Sequence, residues 1–452
     1  MVAKRFLSLM LALTLIFAAV VLASCSKTSD SQTGGKTDTS GSSSSTGGSS
    51  EGAGSASGSG SDEKPVEIKY FGWNDEKSYL EPAIDAFNAQ SSNIKVSYSF
   101  MVPDDYYVKV LTLLSSGNAD FDVFSVNGID KLNQYLQVGG LADLTPLIEK
   151  NNVDLSKYGP SMQTLKLNEK YYVLPYRSSS YAIFYNKDIF DNAGEPYPID
   201  ITWEEYAQIA KRLTSGSGDS KIWGGYIPDW LRAPIMTLQR GSNLLDDDLT
   251  PIIEWSEYLN RLYNIDMSHM SYAEMKLGKI DWIKIFESGK VAMLPNGEWT
   301  IAMLNADKEA GLHNINWDVA PLPVINKGDV VKSPGGVSTY MGVYSGSKNI
   351  EAAFELVESI CGVQGEKILA EKGVLTAYVD DEIKEAFKKA SGVTGTDALL
   401  NAETYPEAEP IPQMAAIYQA YEEEKELYLT GQQTIEEFAE NFARKREEAL
   451  KE

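Results

Sequence analysis

Cysteine and histidine are nearly absent from this chain, with two of each in 452 residues. Cys25 and Cys361 lie far apart, and if Cys25 is consumed at the N-terminus no intramolecular disulfide can form, so packing of a core must supply the stability. His269 and His313 stand alone, which argues against a histidine-rich zinc site or a Ser-His pair. There is no Gly-x-Ser-x-Gly in the body, no Walker loop and no His-Glu-x-x-His. Asp246-Asp247-Asp248 lacks the glycine and closing glutamate of a calcium loop and reads as a solvated turn. Neither a metal nor a cofactor is expected, and the chain does not read as an enzyme; a glycosidase pair of carboxylates is left without a supporting motif. A basic run is also missing. Acids outnumber bases 64 to 40 for a net charge of −24, which makes nucleic acid a poor partner because phosphate backbones require clustered Lys and Arg.

What is present begins at the N-terminus. Lys4 and Arg5 precede an apolar run from Phe6 to Leu22 that closes on Leu22-Ala23-Ser24-Cys25. The run is shorter than the about 20 residues of a spanning helix, and small residues follow it, the pattern of a cleaved lipoprotein leader over 1–24. Cys25 then becomes the lipidated first residue of the mature chain. Ser26 to Lys64 is mostly Ser, Gly and Thr, a composition that cannot bury enough apolar surface to fold, so 25–64 reads as a lipidated tether reaching roughly 35 Å. A membrane reached through this anchor is therefore an expected partner, with the body working at the outer face of the cytoplasmic membrane.

The body from Pro65 onward alternates strand and helix signals. Val66-Glu67-Ile68-Lys69-Tyr70-Phe71 reads as a strand running into the loop Gly72 to Lys77; Leu80, Ile84 and Phe87 recur at helical spacing; Ile94 to Phe100 returns to alternation. A helix around Tyr106 to Leu114, a strand at Asp122 to Ser125 and a loop at Val126-Asn127-Gly128 follow. The pattern predicts an α/β lobe with a largely parallel sheet and a ligand beyond the C-terminal strand ends, which places Trp73 to Lys77 and Asn127 on one rim. Thr202-Trp203-Glu204-Glu205 and Thr434-Ile435-Glu436-Glu437 have capping-box spacing, which explains their carboxylates as helix starts. The run Glu422 to Glu426 reads as a solvated helix face.

Several segments in fixed order then carry a resemblance: Leu114-Ser115-Ser116-Gly117, Gly140-Leu141-Ala142-Asp143-Leu144-Thr145-Pro146, Leu174-Pro175-Tyr176, Ile183 to Phe190, Phe286 to Met293, Asn296-Gly297-Glu298-Trp299, Ala320-Pro321-Leu322-Pro323, Gly335-Gly336 and Ile411-Pro412-Gln413-Met414. Together they resemble the family-1 extracellular solute-binding proteins, the group that includes maltose-binding protein. The resemblance implies an α/β, two-lobed periplasmic-binding-protein fold with an interlobe cleft. Its lobes would be 65–178 plus 338–374 and 179–337 plus 375–452. It further implies a monomeric receptor that captures a small molecule, a carbohydrate first of all, and delivers it to ABC transporter permease subunits. Polyamine, peptide and phosphorylated polyol ligands stay open as alternatives.

A sugar needs flat aromatic platforms beside paired hydrogen-bonding groups. By the resemblance, Trp299 matches a stacking position, Tyr418 a second and Trp230, with Asp229 before it, a third. Each could instead be an aromatic packed in the fold. Trp73, Asn74, Glu76 and Lys77 in the first loop, Asn127 after the third strand, and Glu298 supply candidate contacts, with plain turn residues as the alternative. In Tyr176-Arg177-Ser178-Ser179-Ser180, relatives can place an acid near Ser179 that this chain lacks, which speaks against maltose itself. Arg177 is left to meet a ring hydroxyl, an acidic group or an interlobe carboxylate. Gly335 and Gly336 would let backbone approach the ligand closely, or form a turn.

Overall fold

The computed structural model describes residues 64–451 apart from 159, 233, 379, 408 and 410. The leader, Cys25 and most of the tether lie outside the described residues. Eight strands organise the body: β1 (Val66–Trp73), β2 (Ile94–Met101), β3 (Val123–Asn127), β4 (Val173–Asn186), β5 (Met293–Gly297), β6 (Trp317–Pro321), β7 (Lys332–Val343) and β8 (Glu403–Tyr405).

The β-α-β start forms as its alternation requires. β1 pairs with β2 in parallel, Val66 against Ile94, and the Lys77–Gln90 helix crosses between them with Leu80 and Ile84 buried. β3 joins β1 in parallel, but β7 lies antiparallel to β3 and β4 antiparallel to β7. The sheet is therefore mixed rather than largely parallel, because β4 and β7 are long strands that pass through from elsewhere instead of closing right-handed crossovers. The expected loop after β3 is also absent: Gly128, at φ +81°, opens the Gly128–Gln137 helix directly.

Burial divides the body into two principal cores. One gathers Ile68, Tyr70, Phe124, Val173, Leu174, Met341 and Val343 under the first helices; the other gathers Tyr181 to Tyr185, Met293, Leu294 and Val319 with the Trp203–Leu213 and Thr250–Asn260 helices. A smaller cluster lies under the Met414–Leu429 and Ile435–Ala449 helices. β4 contributes to both principal cores. Its residues 173–176 pack in the first, 181–185 in the second, and Arg177 to Ser180 are the polar joint between them. β7 runs alongside, with Ser179 opposite Gly336 and Ser180 opposite Gly335. The chain touches this joint again at Leu375, whose carbonyl accepts from the Ser178 amide. Two cores joined by a few through-running strands make a two-lobed α/β molecule that can flex at the joint.

Both capping boxes form. The Thr202 hydroxyl accepts from the Glu205 amide at 3.2 Å while the Glu205 carboxylate accepts from the Thr202 amide at 2.8 Å, and Thr434 with Glu437 repeats the exchange at the same distances. The acidic run 422–426 is not uniformly solvated: Glu424 and Lys425 are buried where the last two helices pack, and Lys445 bridges Glu423 and Glu424 at 2.7 Å each. Asp248 caps the Thr250 amide at 3.0 Å, and no cluster of metal-ligating side chains is found among the described residues.

Candidate interlobe ligand site

The joint of β4 determines where the candidate residues gather. Arg177 is buried, and its guanidinium spans the two lobes. Nη1 donates to the Tyr79 hydroxyl at 3.1 Å on the first lobe, and Nε lies 3.4 Å from Glu298 Oε1 on the second. Its central carbon stands 5.5 Å from the centre of the Trp299 ring. The acid missing from the sequence beside Ser179 is supplied by the tertiary fold. Glu298 Oε2 accepts from the Ser179 hydroxyl at 3.0 Å and from the Ser180 amide at 3.3 Å. Burial pushes the fully enclosed Glu298 carboxyl up to about 7 against the opposing pull of Arg177. Arg177 is thus the interlobe ion pair, with its charge already answered by protein.

Gly335 and Gly336 sit at φ +146° and +92° against this same joint. A Cβ on Gly335 would lie 1.9 Å from the Ser179 carbonyl oxygen, so the close approach that needs glycine is between β7 and β4. The steric demand for glycine at Gly335 is thus met by the strand pairing itself. Gly297 has a similar steric reason, since a Cβ there would meet the Trp299 ring at 2.0 Å.

Three tryptophans line up on the second lobe. Trp299 is half-buried, edge-on to Tyr181 at 5.4 Å; Trp230 follows at 6.0 Å and Trp282 at a further 6.0 Å. Trp230 is 36% exposed, a large apolar ring left open at the rim. Asp229 beside it pairs with Lys276 at 3.3 Å. From the first lobe, Asp130 reaches Arg232 at 3.9 Å across the cleft, and Asn127 donates to the Tyr107 hydroxyl at 2.8 Å.

Other candidates are placed elsewhere by packing. Trp73 is buried against Tyr106 and Tyr107 at 5.5 and 5.8 Å and forms the floor of the first core rather than a platform. Glu76 is wholly buried: Tyr79 donates to it at 3.4 Å, Tyr70 at 3.5 Å, and Tyr176 donates as well, so its oxygens are spent inside the lobe. Burial lifts its carboxyl to about 7, again opposed by Arg177. Tyr418 is enclosed in the C-terminal cluster and its hydroxyl donates to the Glu407 carbonyl, which removes it from the stacking set. Asn74 and Lys77 are exposed, Lys77 lying 3.9 Å from Glu81. The sequence reading missed Tyr79, Asp130, Arg232, Asp281, Trp282 and Glu407, the last pushed up to about 7 by burial while Tyr181 hydrogen-bonds to it. Only Trp282, a partly buried aromatic directly after Asp281, had a local signal resembling Asp229-Trp230.

The chain resembles known proteins over most of this architecture. A Listeria monocytogenes ABC substrate-binding protein in complex with cycloalternan superposes with a TM-score of 0.72 at 24% identity, covering 86% of this chain and 99% of the other. A sugar transporter of Rhizobium etli in an open conformation gives 0.69 at 25% identity, over 84% and 99%. A Brucella abortus protein, named only as a binding protein, is 25% identical over 291 residues, 62% of this chain and 67% of its own. The family model for bacterial extracellular solute-binding proteins matches residues 72–360, which contain both halves of the joint, the tryptophan row and most of the two cores. The chain belongs to the bacterial extracellular solute-binding protein family.

Proposed function

We propose that this protein captures a sugar or short oligosaccharide between its lobes and presents it to the permease subunits of an ABC importer, held at the outer face of the cytoplasmic membrane by a lipid on Cys25. The row Trp230, Trp282 and Trp299 carries the reading. Pyranose rings have apolar C–H faces that stack on such surfaces, and adjacent tryptophans inclined at 47° and 64° form a curved platform suited to consecutive sugar units. The polar joint beside the row lets contacts to the ligand from both lobes drive closure, since only contacts made in the closed state can shift that equilibrium. Asn74 and Asn127 on the opposite rim are suited to hydroxyl groups, and no covalent step is involved. The sugar ligands of the structural neighbours support the same class. Thermal unfolding against mono- and oligosaccharides, polyamines and peptides tests it. A ligand at about 100 times its Kd stabilises by about 2.7 kcal/mol. A saccharide shift that Trp299→Ala removes, without loss of folding, upholds the reading; shifts with peptides or polyamines alone sink it.

A further inference from the structure

Arg177 does more at the joint than pair with Glu298. Its Nε and Glu298 Oε1 lie 3.4 Å apart, both buried, yet neither atom makes a hydrogen bond among the described residues. Charge attraction holds them together without fixing an angle. The one hydrogen bond that the guanidinium makes among the described residues runs from Nη1 to the Tyr79 hydroxyl at 3.1 Å. A planar guanidinium takes its orientation from such directional bonds.

Tyr79 is itself held firmly. It lies on the Lys77–Gln90 helix, is 1% exposed and packs in the first core. Its hydroxyl donates to Glu76 Oε1 at 3.4 Å, which leaves the oxygen lone pairs to accept from Arg177. Glu76 is held in turn by the Tyr70 and Tyr176 hydroxyls. A buried series of contacts from the first lobe therefore ends on the guanidinium.

The same guanidinium stands over the Trp299 ring, its central carbon 5.5 Å from the ring centre. On the side of the second lobe, Gly297 admits the benzo edge of that ring and Tyr181 meets it edge-on at 87°. Arg177 ties the ring to the other lobe as well, through an attraction that depends on where the cation sits over the face.

We propose that Tyr79 is a positioning residue for the bound saccharide: through Arg177 it sets the attitude of the Trp299 ring, so the stacking surface on the second lobe takes its binding geometry only while the first lobe holds the guanidinium. This rests on the carbohydrate reading above and adds to it a buried first-lobe residue behind the stacking surface. The coupling is reciprocal. A sugar that stacks on Trp299 in this attitude favours the lobe arrangement in which Tyr79 and Arg177 meet.

Two measurements on the full mature chain test it. The first is fluorine NMR of protein labelled with 5-fluorotryptophan, without ligand, the Trp299 resonance being assigned through Trp299→Phe. Tyr79→Phe keeps the buried ring and loses only the hydroxyl; it should shift or broaden the Trp299 resonance and leave those of Trp203 and Trp255, buried in the second core, in place. A packing defect confined to the first lobe would leave Trp299 unmoved, and that result overturns the proposal. The second is calorimetry with α- and β-linked gluco-, manno- and arabino-trisaccharides, the tightest binder serving as probe. Tyr79→Phe should weaken binding roughly three- to tenfold, the scale of one hydrogen bond. Arg177→Lys, which keeps the charge without the planar fork, should reproduce the loss, and the double variant should be no weaker than Arg177→Lys alone. Additive losses, or unchanged affinity in Tyr79→Phe, overturn the relay and leave the carbohydrate reading standing. If no trisaccharide binds the wild type, the carbohydrate reading falls, and the Trp299 resonance alone then decides whether Tyr79 positions that ring.

Discussion

Replacing Glu298 by glutamine sets burial against ion pairing at the joint of the two lobes. The Glu298 carboxyl is fully enclosed and rises from 4.5 to about 7, so desolvation outweighs the attraction of Arg177 at 3.4 Å. A carboxyl raised on folding makes the native state bind more protons than the unfolded chain between these values, so its contribution to stability is complete below pH 4.5 and is lost as pH climbs through 7. The gap corresponds to about 3 kcal/mol at 1.36 kcal/mol per pH unit, an upper figure because water entry and relaxation reduce it. Glutamine keeps an oxygen for the Ser179 hydroxyl and the Ser180 amide but never ionises. Wild type and Glu298→Gln should therefore have equal stability in urea at about pH 3.5, below the unfolded value of 4.5, and the variant should be the more stable by about 1–3 kcal/mol at pH 8. His269, lowered to about 3 by burial, tilts both proteins the opposite way below its ordinary value of 6.5 and cancels in the difference. If glutamine instead costs several kcal/mol at pH 8, the ion pair outweighs desolvation and the reasoning is wrong.

Other expectations follow from the same geometry. Trp230→Ala should weaken saccharide binding by at least tenfold, through loss of about 1.5–3 kcal/mol of ring burial, while the unfolding midpoint drops only slightly because the ring is 36% exposed and packs only along the row; isothermal titration with urea unfolding checks both. Gly335→Ala forces a Cβ to 1.9 Å from the Ser179 oxygen at φ +146° and should destabilise by about 1–3 kcal/mol or more while also lowering affinity, since β7 must shift at the joint. Tyr418→Phe removes a hydroxyl bonded within the C-terminal cluster, so it should lower the unfolding midpoint and leave ligand affinity unchanged, the reverse of a stacking residue. Cys25→Ser should release the protein from membranes into the medium, as fractionation and fatty-acid labelling would register; retention on the membrane would refute the lipid anchor.

Local signals and long-range packing divide the account of this molecule between them. The β1–helix–β2 start, both capping boxes and the order of segments shared with solute-binding proteins were legible because each is written within a few consecutive residues: alternation of period two, helical recurrence, or a hydroxyl three residues before a glutamate. The candidate site was only half legible. Trp299, Trp230, Arg177 and Ser179 converge at the joint, whereas Glu76 and Tyr418, equally plausible as letters in a row, are covered by the Tyr70, Tyr79 and Tyr176 hydroxyls in one lobe and by the last two helices in the other. The carboxylate beside Ser179 comes from a residue 119 positions away, and the antiparallel course of β7 depends on a strand returning from the second lobe. Sequence by itself determined which elements form and which chemistries are open, since those depend on neighbours along the chain. Tertiary structure decided which side chains gather at the joint and which are covered, because burial and ion pairing depend on what another part of the chain brings against them.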